Sequence, residues 1–172
     1  MKLYLMLMVM FFSASTISSQ ETANAHTDRN ITKVIIVRHA EKADDGTKDP
    51  PLTAAGKERA SKLNQILVDF TIDAVYATPF KRTQETLAVI AESRKLAVKT
   101  YQANDVNFTK DVLQENLGKT IVVAGHSNSS PALVNKLIGQ EKYMALDESV
   151  YTKLWVLTFV DGVFVSDELW NY

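Results

Sequence analysis

The chain has 172 residues, 46% of them apolar and 9% aromatic, with 19 Lys+Arg against 20 Asp+Glu and no cysteine. That is enough apolar side chain for the core of one ordinary domain, and a net charge of −1 removes any bulk electrostatic attraction to nucleic acid or to an anionic membrane surface. The missing cysteine excludes a disulfide framework, a thiolate zinc site, an iron–sulfur cluster and a cysteine nucleophile, and histidine chemistry is confined to His26, His39 and His126.

Lys2 is followed by an apolar run from Leu3 to Phe12 and then a Ser/Thr-rich stretch, the layout of a secretory signal. The run is too short to cross a bilayer, which takes about 20 helical residues. Ala23-Asn24-Ala25 fits the small-x-small cleavage rule, with Ser13-Ala14-Ser15 as an alternative. The expectation is a signal over residues 1–25, a domain over residues 31–172, and an exported protein, periplasmic or extracellular, with no stable membrane insertion after cleavage.

Lys33–Val37 is a β-branched apolar run that suits a strand buried on both faces. Pro50-Pro51 interrupts regular structure, and Thr53 then caps a helix to about Phe70, with Leu63, Ile66, Leu67 and Phe70 on one face. Asp73–Tyr76 reads as a second strand ended by Thr78-Pro79, and a helix follows from about Phe80 to Glu92. Leu96–Lys99 is a weaker strand. A helix near Lys110–Leu117 comes next, with Gly118 placed to end it. Thr120–Ala124 is a second strong buried strand. Ser130-Pro131 then opens a helix that Gly139 closes, with Pro at its first position. The tail changes pattern: Lys153–Phe159 and Val163–Val165 flank Asp161-Gly162, a hairpin signal. Alternating strands and helices with a terminal hairpin imply an α/β three-layer sandwich, its sheet mainly parallel with an antiparallel edge.

Ligands gather at the carboxyl ends of strands in such sheets. His39 falls just after the first strand in Arg38-His39-Ala40-Glu41-Lys42, and His126 just after Thr120–Ala124 in Gly125-His126-Ser127-Asn128-Ser129. If those strands are neighbours, both imidazoles emerge at one sheet edge, where a helix starting at Ser130 also turns its free N–H groups. Arg82 sits in the first turn of the helix after the second strand, again on the carboxyl side. Arginine binds phosphate bidentately and keeps its charge, so Arg38 and Arg82 together could hold a phosphoryl group from two sides. Ser127 and Asn128 are further candidate contacts.

These segments, Arg38-His39-Ala40, Thr78-Pro79-x-x-Arg82-x-x-Glu85-Thr86 and Gly125-His126-Ser127, occur in order at strand ends. They resemble the histidine phosphatase superfamily, whose fold is the phosphoglycerate mutase-like one. Arg38–Lys42 followed by Asp49-Pro50-Pro51-Leu52-Thr53-x-x-Gly56 resembles its small bacterial members in particular. Ala40 departs from the pattern, because much of that family has glycine there. The resemblance implies a phosphomonoesterase without metal or organic cofactor. His39 is then the nucleophile, and Arg38, Arg82 and His126 surround the transferred group of a small phosphorylated substrate. It also implies a carboxylic acid between the second arginine and the second histidine to protonate the leaving group. Asp105 is the candidate, with Glu41 second; Glu85 and Glu148 read as structural or rim residues, and Lys42 and Lys81 as surface charges.

Gly125-x-Ser127-x-Ser129 imitates the nucleophile elbow of serine hydrolases, but no histidine follows Ser127, so their Ser–acid–His order cannot be met. No His-x-His or His-Glu-x-x-His pattern supports a metal-dependent hydrolase. A module that binds phosphate ligands without turnover, and a phosphomutase, are the alternatives.

Overall fold

In the computed structural model, which describes residues 29–172, the chain runs β1 (Ile31–Arg38), α1 (Ala54–Ile66), β2 (Ala74–Ala77), α2 (Lys81–Ser93), β3 (Val98–Thr100), α3 (Phe108–Glu115), β4 (Thr120–Gly125), α4 (Ser129–Ile138), β5 (Lys153–Val160) and β6 (Val163–Asn171). The expected signal over residues 1–25 lies outside the described residues. The strands make one sheet in the order β3-β2-β4-β1-β5-β6. β1 to β4 are parallel where they pair, while β5 and β6 add an antiparallel edge.

The strict alternation of side chains along each strand fills two cores. Val34 and Ile36 of β1, Val123 of β4 and Trp155 of β5 meet Val112 of α3 and Val134 of α4 on one face. The intervening residues Ile35, Val37, Val122 and Leu154 meet Leu63 of α1 and Leu87 of α2 on the other. A strand buried on both faces has no polar side to show, which is why β1 and β4 read as continuous apolar runs. Each fully buried Leu or Ile here contributes roughly 1.5–3 kcal/mol of transfer free energy. The result is the expected α/β three-layer sandwich.

Boundaries shift from the sequence reading for identifiable reasons. α1 stops at Ile66 with Leu67 as its C-cap, yet Phe70 still packs against the second core beyond the helix end. α3 starts earlier, at Phe108, because that ring stacks on Tyr101 with centroids 4.1 Å apart. It also ends earlier, at Glu115, where the buried Asn116 amide donates to the Val112 carbonyl and to the Tyr76 hydroxyl. α4 begins at Ser129, so Pro131 is its third residue and not its first. β3 is displaced to Val98–Thr100. β6 runs on to Asn171, well past Val165; with one face to solvent and Ser, Asp and Glu in its middle, it carries little apolar signal of its own and is defined by its pairing with β5. The hairpin turn is as expected: Asp161 and Gly162 both have positive φ, 52° and 80°, which matches a two-residue primed turn.

The pairing of β1 with β4 positions everything that follows. Arg38 lies opposite Gly125 in the parallel register, and the His39 N–H donates to the Gly125 carbonyl at 2.9 Å. After β1 the chain turns to α1 on one face of the sheet, and after β4 it turns to α4 on the other. The two loops therefore part over the strand ends and leave a crevice at the topological switch point.

The far wall of the first loop is pinned by α1. Thr53 caps that helix by accepting from the Gly56 N–H at 3.0 Å, and the Thr53 N–H donates to the Glu41 carbonyl at 2.9 Å. A Cβ on Gly56 would lie 2.3 Å from that same carbonyl oxygen. Gly56→Ala must therefore push α1 away from the segment carrying His39, at a cost of about 1–3 kcal/mol as for other overpacked sites. Thermal unfolding should show a lowered midpoint; an unchanged midpoint would mean the contact relaxes freely.

Candidate active site

His39 follows β1 directly and is buried, with 3% of its surface exposed. Its Nδ1 lies 2.7 Å from the Ala40 carbonyl oxygen. A carbonyl can only accept, so Nδ1 carries the proton and the lone pair of the neutral ring is on Nε2. Burial lowers the imidazole pKa to about 4; the Ala40 hydrogen bond opposes this, and Arg38, His126 and Arg82 lower it further. The ring is thus neutral near pH 7 and holds one nucleophilic nitrogen in a fixed tautomer. Ala40, the departure from the family pattern, has no positive φ, and its methyl is buried beside Leu52 and Ala60. Its N–H donates to Thr86 Oγ1 at 2.9 Å.

His126 follows β4, and its ring centroid is 5.4 Å from that of His39. Nε2 is 2.9 Å from Thr78 Oγ1, and Nδ1 is 3.5 Å from Arg82 Nη2. Guanidinium only donates, so Nδ1 is the acceptor and Nε2–H donates to Thr78. Thr78 is hydrogen-bonded to Thr83 Oγ1 at 2.9 Å, and Thr83 reaches the Phe80 carbonyl at 2.8 Å. Rotation of these hydroxyls lets Thr78 donate to Nε2 instead, which moves the ring proton to Nδ1. Burial, then the Arg82 and Arg38 charges, lower the His126 pKa to about 4, with Glu148 opposing.

Arg38 is wholly buried, an expensive place for a cation unless it is bonded. Nη1 donates to the Asp147 and Val150 carbonyls, each at 2.9 Å, and Nη2 donates to Glu148 Oε2 at 2.7 Å. The Tyr151 ring covers the guanidinium, 4.1 Å from Cζ. Three of five N–H donors are thereby used. What remains is Nε–H, buried without a partner among the described residues, and the second Nη2–H: the two-donor edge that matches an oxyanion. Arg82, in the first turn of α2, lies 4.3 Å over the Phe80 ring and 3.8 Å from Asp49. Its Nε is likewise buried and unpartnered among the described residues.

An open cleft of about 450 Å³ is lined by His39, Arg82, His126, Ser127, Asn128 and Glu148, with Lys42 at its edge. The strand ends therefore bring together the two histidines, Arg82, Ser127 and Asn128, and Arg38, which does not line the cleft, is tied to it through Glu148. Asp105 is not there. It is exposed, accepts from the Asn107 N–H at 2.9 Å just before α3, and lines a separate cavity with Phe108, Leu133 and Lys136. The reason is local: the stack of Phe108 on Tyr101 draws the loop after β3 toward α4. Gln102 and Asn104 of the same loop line a cavity with His126, and Asp105 does not. Glu41 is also turned away, held by Arg59 at 2.6 Å, and Glu85 is used to accept the Leu52 N–H at 2.8 Å.

Three contributors escaped sequence reasoning. Thr78 was visible as part of its motif but not as the partner of His126. Glu148 was taken for a rim residue, and Tyr151 carried no signal, because both act across more than a hundred residues of chain. Among the described residues, no group of three or more His, Asp or Glu side chains is arranged to hold a metal ion.

Comparison with known proteins bears on this geometry. The model of the histidine phosphatase superfamily (branch 1) matches residues 34–103, which include Arg38, His39 and Arg82. Phosphoserine phosphatase 1 of Hydrogenobacter thermophilus is 40% identical over 72 residues, which cover 38% of this chain and 34% of the relative, about a third of its length. The fold match is wider. The protein histidine phosphatase SixA, solved with tungstate, superposes with a TM-score of 0.66 at 20% identity over 81% of this chain and 96% of SixA. Bacillus stearothermophilus YhfR gives 0.63 at 14% identity, over 78% and 94%. These likenesses are of fold, and they span more of the chain than residues 34–103.

The two depressed histidines make acid stability a test of this geometry. In the unfolded chain each takes up a proton near 6.5, whereas in the folded protein each resists until about 4. Their contribution to stability is complete above pH 6.5 and is lost as the pH falls toward 4. The unfolding midpoint of His39→Gln should decline less steeply than wild type between pH 6.5 and 4.5. Parallel declines would show that His39 is not buried neutral.

Proposed function

We propose that this chain is a phosphatase that works through a phosphohistidine on His39. One observation carries the reading: a neutral imidazole with its lone pair fixed on Nε2 stands beside two guanidiniums that each keep a buried, unpartnered Nε–H. Nε2 attacks phosphorus, the bond from phosphorus to the leaving group breaks, and the leaving group departs with that electron pair. Water then attacks the phosphoryl group on Nε2, the N–P bond breaks back onto His39, and the water's protons end on inorganic phosphate and solvent. Charge on the equatorial oxygens in both steps is met by the free edge of Arg38, by Arg82 and by His126, which becomes a donor at Nδ1 once the hydroxyls of Thr78 and Thr83 rotate.

The carboxylates bear on the kind of substrate. Asp105 lies outside the cleft, Glu41 is paired with Arg59, and Glu148 is held ionised by Ser127 and Arg38. Leaving groups that depart without a carboxylic acid are therefore favoured: aryl esters and nitrogen-linked phosphoryl groups before simple alkyl esters. Of the relatives named above, the protein histidine phosphatase acts on the nitrogen-linked kind, and the phosphoserine phosphatase on an alkyl ester. The apolar run of residues 3–12 supports export, with substrates outside the cytoplasm.

Incubation of purified protein with aryl and alkyl phosphates should give turnover and an acid-labile phosphate on wild type. His39→Asn should retain neither. Arg82→Ala should lose two or more orders of magnitude in kcat/KM with its fold intact. Phosphate binding without turnover would favour the binding module, and phosphoryl return to a second hydroxyl of the substrate would favour the mutase. Asp105→Asn should change aryl and alkyl turnover equally and slightly; selective loss on alkyl esters would restore Asp105 as the acid.

A further inference from the structure

Glu148 is the only carboxylate lining the cleft among the described residues, and it is not idle. Oε2 accepts from Arg38 Nη2 at 2.7 Å, and Oε1 accepts from Ser127 Oγ at 2.5 Å. Its side chain is 76% exposed, whereas that of Arg38 is 1% exposed, so the carboxylate reaches from the solvent side onto a buried cation. The Ser127 hydrogen bond, then the Arg38 charge, keep it ionised, and its charge is felt at Arg82, His39 and His126. Its position is backed by the chain around it: the carbonyls of Asp147 and Val150 on either side accept from Arg38 Nη1, and the Leu146 N–H donates to the Ser127 carbonyl at 2.8 Å. A carboxylate bridging a guanidinium and a hydroxyl sets a negative charge beside the donors that a phosphoryl group would use.

We propose that Glu148 is a specificity determinant of the cleft, an internal anion that competes with incoming anions for Arg38 and Ser127 and so disfavours free phosphate and phosphate esters bearing a second anionic group. The proposal rests on the phosphatase reading above. An incoming phosphoryl group takes the free edge of Arg38 while Glu148 keeps the other Nη2–H, so the site binds one dianion against one resident negative charge. A second carboxylate on the substrate meets repulsion that an uncharged ring does not. The product, inorganic phosphate, is weakened in the same way, which speeds its release. Lys42 also lines the cleft, and its charge has the opposite effect.

The test compares wild type, Glu148→Gln, Lys42→Gln and Arg82→Ala. The readouts are inorganic phosphate as inhibitor and kcat/KM for phenyl phosphate and 3-phosphoglycerate. Glutamine keeps the size and one acceptor oxygen for Arg38, turns the other oxygen into an amide donor that the Ser127 hydroxyl can accept, and removes the charge. Inhibition by phosphate should tighten about tenfold in Glu148→Gln, and 3-phosphoglycerate should gain on phenyl phosphate by a similar factor. Lys42→Gln should move both in the opposite direction. Unchanged or weakened phosphate inhibition in Glu148→Gln, while Arg82→Ala abolishes it, would overturn the role of Glu148 and leave the phosphatase reading standing. Absence of phosphate inhibition and turnover in every protein would overturn both.

Discussion

The parallel pairing of β1 with β4 is the constraint on which the site depends. It sets Arg38 opposite Gly125, so the residues that follow each strand, His39 and His126, emerge side by side although 87 positions separate them in the chain. Hydrogen bonding of the His39 N–H to the Gly125 carbonyl carries the ladder one step past the strand. β2, the other neighbour of β4, delivers Thr78 and then Arg82 at the same edge. A one-residue slip of β1 against β4 would invert its side chains, exchanging the two cores and turning Arg38 away. The same apolar alternation that stabilises the sheet therefore fixes the register of the candidate site.

Charge is the second constraint. Burial keeps protons off both imidazoles, and the two guanidiniums beside them add to this, so both rings rest neutral. Such a site is poised for an anion and unsatisfied without one. The fold holds Arg38 in this position with backbone carbonyls from the segment before β5, the face of Tyr151 and the Glu148 carboxylate. Half of the guanidinium is used to be held, and half is free to act. That division explains why a segment far from Arg38 in the chain matters to the candidate site.

How much of this was legible in the sequence differs by kind of interaction. The buried strands β1 and β4, the capped helix α1 and the Asp161-Gly162 turn follow from local pattern and backbone preference, and so were readable. Arg38, His39, Arg82 and His126 were readable because each ends or directly follows a strand or lies in the first turn of a helix. Asp105 was misplaced because its direction depends on how Phe108 stacks on Tyr101, and β6 was cut short because its solvent-facing half has no periodic apolar signal.

By itself the sequence determined the alternation of strands and helices, the residue types available for chemistry, and their order at the strand ends, because these depend on neighbours within a few positions. Tertiary structure alone decided which carboxylates enter the cleft, which ring nitrogen of each histidine keeps its lone pair, and which face of Arg38 stays free. Those outcomes hang on hydrogen bonds across tens to more than a hundred residues, as between Thr78 and His126 or Arg38 and Glu148, and such partners exist only once the sheet has closed.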